Sequence, residues 1–451
     1  MQPKLSFDRS SGWLRVKESK KKKIFDFSSE YLNFLNACKT ERESVDFIKK
    51  EAEKKGFRNI NGSRKLKSGD KVFYESNSKN IFLAVVGQPK INVVVSHLDS
   101  PRLDLKPLPL IEESGIAFLK THYYGGIKKY QWLNIPLEMR GVVMSKGKKI
   151  NVSIGEKDDL YFTITDLLPH LSQKQMEKKA SEFVEGEDLN MIFGNMPSDS
   201  KKKVKESMLS LLNKKYGMIE EDFVSAELEL VPAFKAKDLG LDRSMMGGYA
   251  HDDRSCSYAL LRAVLDSSKP KPTSIALFVD KEEIGSEGNT SAGSMHFVNF
   301  LEMLKEKCSW KERINEILIS GESISADVTS AFDPFKKDVF DVNNSNELSK
   351  GVSIEKYNGS GGKYYGNDAS AEFFYRIRSL ANKNKVIWQT GEIGKVDIGG
   401  GGTVAVFLAK LGINVIDAGI PVLGMHSPFE VISKLDLYET YRLYRVFLNE
   451  Q

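Results

Sequence analysis

Cysteine is scarce in this sequence, which has only three, Cys38, Cys256 and Cys308, in 451 residues. They are widely separated, and no two stand in a Cys-x-x-Cys spacing. Small secreted scaffolds depend on paired cysteines, and cysteine-based zinc sites need closely spaced ones. The sequence therefore excludes both classes and indicates a reducing compartment.

Long apolar runs are also missing. Residues 1–23 lack the apolar stretch of about 7–15 residues of a signal peptide, and no other segment approaches the ~20 apolar residues of a membrane span. Neither sign of charge is in large excess, because the sequence has 66 Lys and Arg and 61 Asp and Glu. A net charge of +5 over so long a chain is not a nucleic-acid footprint. We therefore expect a soluble, cytoplasmic protein that binds neither nucleic acid nor membrane.

Helix-like and strand-like segments alternate in the first hundred residues. Thr40 and Glu43 form a capping box for a helix that should end near Gly56. The runs KVFYES, NIFLAVVG and INVVVSH then predict neighbouring strands, the last two joined by a Gln-Pro-Lys turn. INVVVS is apolar without alternation, which is typical of a strand covered on both faces.

The same alternation returns after Tyr249. SIALFVD and EILISG predict strands, and VAVFLAKLG followed by INVIDAGI predicts a helix and a strand. A capping box of Ser427 and Glu430, with Pro428 in the first turn, predicts the last helix. Such alternation is typical of an α/β layer fold.

Between these two regions the sequence changes to short β-like pieces, with one Lys-rich helix near 201–215. We therefore predict the α/β class, with an α/β layer fold in a discontinuous domain of residues 1–101 and 242–451. Residues 102–241 would be an inserted β-rich domain.

Metal-binding residue types follow several predicted strands. His97 and Asp99 come just after INVVVS, and the doublet Glu282–Glu283 comes just after SIALFVD. Three more residues of this kind lie in comparable loops or before a helix: Asp252, Asp327 and His426. Ligand groups in open α/β sheets gather at the carboxyl ends of strands, so these residues are candidates for one site.

A set of histidines and carboxylates suits a pair of divalent cations. Two-metal hydrolases hold the ions ~3.5–4 Å apart, and their water falls from a pKa of 15.7 to about 7. Imidazole and carboxylate ligands accept zinc, cobalt or manganese. Each residue alone has an ordinary alternative, such as a hydrogen-bonded pair, a helix N-cap or a solvated turn. Together, in this order, they predict a dinuclear hydrolase.

The doublet suggests a division of roles. Adjacent residues on an extended segment point in opposite directions, so one glutamate can bind metal while the other acts as general base. Asp99 is placed to accept a hydrogen bond from the ring of His97. Asp252 is placed to bridge the ions, with Asp253 and Arg254 paired behind it.

Two glycine-rich stretches, NGSGGKYY and IGGGGTV, match neither a phosphate-binding loop nor a dinucleotide fingerprint. Both are typical of flexible turns. The alternative for Gly399 to Gly402 is a backbone that approaches a substrate carbonyl closely.

Six segments resemble, in this order, motifs of the co-catalytic zinc aminopeptidase family that contains aspartyl aminopeptidase and vacuolar aminopeptidase I. They are SHLDSPRLDLKP, AHDDRS, DKEEIGSEG, SISADVTSAFDP, the GGGGT loop and PVLGMHSPFE. The resemblance covers nearly the whole chain. It implies a zinc-peptidase α/β domain with a central mixed sheet between helices, interrupted by a β-rich dimerisation domain, with dimers assembled into a tetrahedral dodecamer.

The resemblance also implies a role for each metal-binding residue. His97 and Asp327 would bind one zinc, Glu283 and His426 would bind the other, and Asp252 would bridge the two.

Three further residues receive roles in the same way. Glu282 would be the general base and Asp99 would orient His97. His170, in the LPHL segment of the insertion, would reach into the active site of a neighbouring subunit.

The implied reaction removes the N-terminal residue from peptides by attack of a metal-bridging hydroxide. Some members favour acidic N-terminal residues and others neutral ones, and the motifs here look closer to the neutral branch. An acidic side chain needs a basic partner, for which Lys356 and Lys363 are the options. The alternatives are a dizinc carboxypeptidase or deacylase and a silent scaffold, the latter disfavoured because Glu282 and all five ligands are present.

Overall fold

The structure is a computed structural model that describes residues 5–199 and 203–450. This part of the chain forms two compact units. The first comprises the described residues of Met1–Asp99, Ala236–Met425 and Phe429–Gln451. The second comprises those of Ser100–Lys235 and His426–Pro428.

The α-helices of the described residues are α1 (Glu18–Ala37), α2 (Glu41–Lys54), α3 (Gln173–Met176), α4 (Val204–Tyr216), α5 (His251–Leu265), α6 (His296–Cys308), α7 (Ile314–Ile319), α8 (Ala371–Lys383), α9 (Ala405–Ala409) and α10 (Lys434–Leu448). Helix α2 begins as predicted, because Thr40 Oγ1 accepts a hydrogen bond from Glu43 N at 3.2 Å. Within the described residues, no helix combines the length and the apolar character needed to cross a membrane.

The strands are β1 (Arg58–Asn59), β2 (Lys71–Ser76), β3 (Asn80–Val85), β4 (Gln88–His97), β5 (Arg102–Glu113), β6 (Ile116–Tyr124), β7 (Leu137–Ser145), β8 (Lys148–Ile154), β9 (Met191–Gly194), β10 (Glu227–Pro232), β11 (Lys237–Leu239), β12 (Met245–Gly248), β13 (Pro272–Val279), β14 (Glu322–Ser325), β15 (Thr329–Ser330), β16 (Val352–Glu355), β17 (Trp388–Gln389), β18 (Asn414–Gly419), β19 (Pro421–Leu423) and β20 (Glu430–Ser433). They form one sheet of nine strands, one of six and one of five. The nine-stranded and five-stranded sheets belong to the first unit, and the six-stranded sheet belongs to the second.

The nine-stranded sheet has the order β1-β2-β3-β13-β4-β14-β18-β16-β17. Its four middle strands, β13, β4, β14 and β18, run parallel to one another. They are flanked by β3 and β16, which run antiparallel to them. The sheet is therefore mixed, as predicted, and the carboxyl ends of four adjacent strands lie at one edge.

Strand β4 is covered on both faces. Val93 and Val95 belong to a buried apolar cluster that includes Phe300 of α6. On the opposite face, Asn92 Nδ2 donates to the carbonyl of Phe447 in α10 at 2.9 Å, and Ser96 Oγ lies 2.8 Å from Ser257 Oγ of α5. Because side chains alternate along a strand, both faces carry helices, and the predicted sheet between helices is confirmed.

The predicted Gln-Pro-Lys turn between the second and third strands is wrong. Gln88 to Lys90 are the first residues of β4, and Gln88 N donates to Lys271 O at 2.8 Å. Pro89 lacks an N–H, which a strand tolerates near its first residue. Strand β13 lies between β3 and β4. The prediction that these two strands are neighbours is therefore wrong.

The prediction of a strand at EILISG is also wrong. Ile314 to Ile319 form α7, in which Ile314, Ile317 and Leu318 are buried at helical spacing. Its first turn is fixed by Glu316, whose Oε2 accepts from Arg313 N at 3.0 Å. The strand that was expected here is the next segment, β14.

The last helix begins later than predicted, at Lys434 and not at Pro428. Residues 430–433 form β20, which pairs antiparallel with β12. The actual cap is Ser433, whose Oγ accepts from Leu435 N at 3.2 Å. The β-branched Val431 and Ile432 favour the strand over the first turn of a helix.

The second unit is built on the six-stranded sheet, with the order β8-β7-β10-β5-β6-β9. All of its strand pairs are antiparallel. Helix α4 forms where a Lys-rich helix was predicted; Lys201 and Lys202, which that prediction included, lie outside the described residues.

Candidate functional site

Three parallel strands bring metal-binding residues together at the edge of the nine-stranded sheet. His97 is the last residue of β4, Glu282 follows β13, and Asp327 follows β14. His97 Nε2 lies 3.9 Å from Glu282 Oε2 and 3.7 Å from Asp327 Oδ1. The cluster thus follows the general rule that ligand groups collect at the carboxyl ends of parallel strands.

Asp252 enters the same cluster from the first turn of α5. Its Oδ1 lies 3.3 Å from His97 Nε2. Its backbone N–H donates to Glu430 Oε2 at 3.0 Å, and the preceding His251 has its Nδ1 2.7 Å from Tyr31 OH. The start of α5 is therefore held by β20 and α1.

Asp99 contacts both His97 and the glutamate doublet. His97 Nδ1 lies 3.0 Å from the Asp99 carbonyl oxygen and 3.3 Å from its Oδ1. The backbone N–H groups of Glu282 and Glu283 donate to Asp99 Oδ1 and Oδ2 at 3.2 and 3.1 Å. Asp99 thus fixes the ring of His97, so that Nε2 faces the cluster. Its carboxylate also fixes the turn that carries both glutamates.

The prediction that the Glu282–Glu283 doublet lies on an extended segment is wrong. Glu282 to Ile284 form a 3₁₀ turn between two residues with left-handed backbone, Lys281 and Gly285. The turn forms because the two N–H groups converge on the carboxylate of Asp99, which an extended chain would not allow.

The predicted pairing of Asp253 with Arg254 is absent from the described residues. Asp253 Oδ2 accepts instead from the backbone N–H of His97 at 3.3 Å. Arg254 donates to the carbonyl of Lys39 at 3.0 Å. Asp253 therefore helps to hold the end of β4.

The acidic side chains of the cluster outnumber its one histidine. Burial, followed by the charge of Asp327, raises the pKa of Glu282 to about 8. Burial also raises the pKa of Asp327, with a further contribution from Asp252. Burial lowers the pKa of His97, but Asp252, Asp327 and Asp99 outweigh it and hold that pKa well above its usual value. Closely spaced buried carboxylates destabilise each other, which a bound cation would relieve.

The donor atoms fit divalent metal ions. One group consists of His97, Glu282 and Asp327 and another of His97, Asp252 and Glu283, each with its ligand atoms within 4.8 Å of one another. Two ligand atoms at about 2.1 Å from one ion lie at most about 4.2 Å apart, so the groups need only small adjustments. Nitrogen and carboxylate oxygen are also the donors that zinc takes.

Two predicted site residues belong to the second unit. His426 lies after β19, and its Nδ1 is 2.8 Å from the carbonyl oxygen of Gly126. His170 lies in a 3₁₀ turn, Pro169–Leu171, and is exposed.

A polar network that the sequence did not predict lies beside the cluster. Asp417 of β18 pairs in register with Ser325 of β14 and Glu355 of β16. Its Oδ1 accepts from Thr403 Oγ1 at 2.6 Å, and burial raises its pKa to about 6. An aspartate within the apolar run NVIDAG was the signal that could have revealed this network.

The two glycine-rich stretches line a common cavity of about 310 Å³. Gly359 N donates to Gly401 O at 2.8 Å, so the two loops contact each other directly. Asn358 Nδ2 donates to Thr403 Oγ1 at 3.1 Å. The loops are therefore tied to the same edge of the sheet as the cluster.

A match to a protein family identifies the chain. Residues 34–448 match the family model described as aminopeptidase I zinc metalloprotease (M18). The chain belongs to the M18 family of zinc metallopeptidases. This M18 protein is 45% identical to a probable M18 family aminopeptidase 1 of Clostridium acetobutylicum, over 97% of this chain and 98% of the relative.

Solved structures agree with this assignment. The crystal structure of an M18 family aminopeptidase from Thermotoga maritima is 44% identical, with a TM-score of 0.94 over 99% of this chain and 100% of that one. The dodecamer structure of S. cerevisiae mApe1 shares the fold at 20% identity, with a TM-score of 0.77 over 94% and 97% of the two chains. This M18 protein is therefore a metallo-aminopeptidase, and the predicted family and activity are confirmed.

Proposed function

We propose that this M18 aminopeptidase removes N-terminal residues from peptides at a centre of two divalent cations, with Glu282 as general base. The observation that carries the proposal is the convergence of one histidine and four carboxylates at the end of β4: His97, Asp252, Glu282, Glu283 and Asp327. Zinc is the metal that the family description names, and cobalt and manganese suit the same donors.

In this proposal His97 and Asp327 would hold one ion, Glu283 and His426 would hold the other, and Asp252 would be shared by the two. Support for His97 comes from its hydrogen bond to Asp99, which leaves Nε2 directed at the carboxylates. His426 has a comparable contact, since its Nδ1 lies 2.8 Å from Gly126 O. Metal-binding histidines commonly donate their other ring N–H in this way, which fixes the ligand nitrogen.

The remaining residues of the cluster handle the proton and the orientation of the ligands. Bound divalent cations supply Lewis acidity, which activates water and polarises the scissile carbonyl. The Glu282 carboxylate accepts the proton of the attacking water and returns it to the nitrogen of the departing peptide. Asp99 holds His97 and the Glu282–Glu283 turn in place through its carbonyl and carboxylate oxygens.

We further propose a preference for neutral N-terminal residues over acidic ones. An acidic side chain needs a basic partner. Lys363 is engaged elsewhere, with its Nζ 3.1 Å from Asp368 Oδ2 and 4.0 Å from the ring centroid of Tyr357. Lys356 is exposed just after β16.

A panel of aminoacyl chromogenic substrates tests this preference. With zinc, cobalt or manganese present, we expect kcat/KM for leucyl or alanyl substrates to exceed that for aspartyl or glutamyl substrates by at least about tenfold, because an acidic side chain would find Lys363 already paired with Asp368. A peptide substrate that reports release of its C-terminal residue serves as the control for which end of the peptide the enzyme cleaves. Faster release from acidic substrates would overturn the preference, and release of C-terminal residues would overturn the N-terminal orientation.

The two compact units suggest two different functions. We propose that residues 1–101 and 242–451 form the catalytic domain and that residues 102–241 form a dimerisation domain, with dimers assembled into a tetrahedral dodecamer. In that assembly the exposed His170 would reach a neighbouring active site. The fold shared with the S. cerevisiae mApe1 dodecamer supports an oligomer. The mass of the purified protein in light scattering tests the proposal, and a monomeric mass would contradict it.

We also propose that the enzyme acts in the cytoplasm. The support is the scarcity of cysteine and the absence of closely spaced cysteine pairs. Cell fractionation with detection of the native protein tests this location, and recovery in the medium would contradict it.

A further inference from the structure

The turn that carries Glu282 and Glu283 begins with an unusual backbone conformation. Lys281 has φ of 69°, in the left-handed region that residues other than glycine rarely adopt. Such conformations persist at functional sites only where the surrounding structure fixes them. Asp99 fixes the turn from one side, since it accepts from both glutamate N–H groups.

A closed ring of side chains fixes the turn from the other side. Lys281 Nζ lies 3.0 Å from Asp280 Oδ2 and 3.2 Å from Thr290 Oγ1. Thr290 Oγ1 in turn donates to Asp280 Oδ2 at 2.7 Å. The three residues thus form a triangle of hydrogen bonds directly before the doublet, in which only the hydroxyl of Thr290 both donates and accepts.

Two of the three residues of the triangle are buried, and the triangle is anchored to the sheet. Asp280 and Thr290 are each 1% exposed. Asp280 N donates to Thr290 O at 3.2 Å, and Asn80 Nδ2 of β3 donates to the same carbonyl at 3.2 Å. Gly288 leaves room for the Lys281 stem, because a Cβ there would lie 3.0 Å from Lys281 Cδ.

We propose that Thr290 is a positioning residue for catalysis, whose hydroxyl holds Lys281 and Asp280 and thereby directs the carboxylates of Glu282 and Glu283. The inference rests on the proposed function, because it takes Glu282 as the base and Glu283 as a ligand. Thr290 touches neither glutamate; it acts through the backbone of the turn. A shift of about 1 Å in a catalytic group lowers rates by up to about 100-fold.

The test replaces Thr290 by valine, which keeps the shape of threonine and removes the hydroxyl. At saturating zinc we expect kcat to fall between about 10- and 100-fold while KM changes little, since the base is displaced and substrate contacts are kept. Thr290→Ser keeps the hydroxyl and should restore most of kcat. Lys281→Met, which removes the ammonium but keeps an unbranched stem, should lower kcat in the same way and replaces Thr290→Val if that variant does not fold.

Thr440→Val is the matched control. Thr440 is also fully buried, and its Oγ1 donates to the carbonyl of Asp436 at 2.8 Å on α10. Near-normal kcat in Thr290→Val and Lys281→Met, or a loss that serine does not restore, would overturn the positioning role. Glu282→Gln is measured in parallel: if it retains turnover, the proposed function fails, whereas an inactive Glu282→Gln beside a fully active Thr290→Val contradicts this inference alone.

Discussion

Replacing Glu282 by glutamine is expected to lower kcat by about 10²- to 10⁴-fold, the usual contribution of a general base. Glutamine has the size of glutamate but cannot accept the proton of the attacking water. The N–H of residue 282 still donates to Asp99 Oδ1, so the turn should keep its conformation. The measurement is steady-state kinetics together with the metal content and the melting temperature of the purified variant.

Two neighbouring variants make this test specific. Glu283→Gln alters the proposed ligand and should lose metal as well as turnover. Glu287→Gln changes an exposed glutamate of the same loop and should behave as the unmodified enzyme. Near-normal turnover in Glu282→Gln would refute the base role, and loss of metal in that variant would reassign Glu282 as a ligand.

Removal of metal by a chelator is the second change with a large expected effect. Activity should fall by about 10³-fold or more, because the Lewis acidity of the ions is worth several kcal/mol in the transition state. The melting temperature should fall too, since the carboxylates of Asp252, Glu282 and Asp327 would then face one another without a cation. When the ion concentration is far above the dissociation constant, removing the metal should lower the free energy of unfolding by about 4 kcal/mol. The melting temperature should then fall by on the order of 5–10 °C.

Reconstitution provides the control for the chelator. Zinc, cobalt or manganese should restore both activity and melting temperature, whereas calcium, which prefers six to eight oxygen ligands, should restore neither. Activity and melting temperature that are both insensitive to the chelator, in protein shown by elemental analysis to be free of metal, would rule out a metal-dependent site.

The end-of-strand rule predicts from the sequence that several candidate side chains lie close together, and His97, Glu282 and Asp327 do. His97, Glu282 and Asp327 follow apolar strands, and β4, β13 and β14 turn out to be parallel neighbours. The strand order itself was not predictable, because β13 lies between β3 and β4 although it comes almost two hundred residues later. Local pattern carries no information on such a crossover.

The errors at EILISG and at the last helix have a common cause. Short apolar segments fit helix and strand equally well, and tertiary pairing decides between them. Glu430 looked like the third residue of a helix, but it accepts a hydrogen bond from Asp252 N, and its neighbours pair with β12. The 3₁₀ turn of the doublet depends in the same way on Asp99, which is distant in sequence.

Anomalous X-ray scattering at the zinc edge, from crystals of the zinc-loaded enzyme, tests whether the site holds two ions. We expect two peaks ~3.5–4 Å apart, with Asp252 between them, His97 on one ion and His426 on the other. A single peak, or zinc bound away from His97 and Asp252, would contradict this expectation.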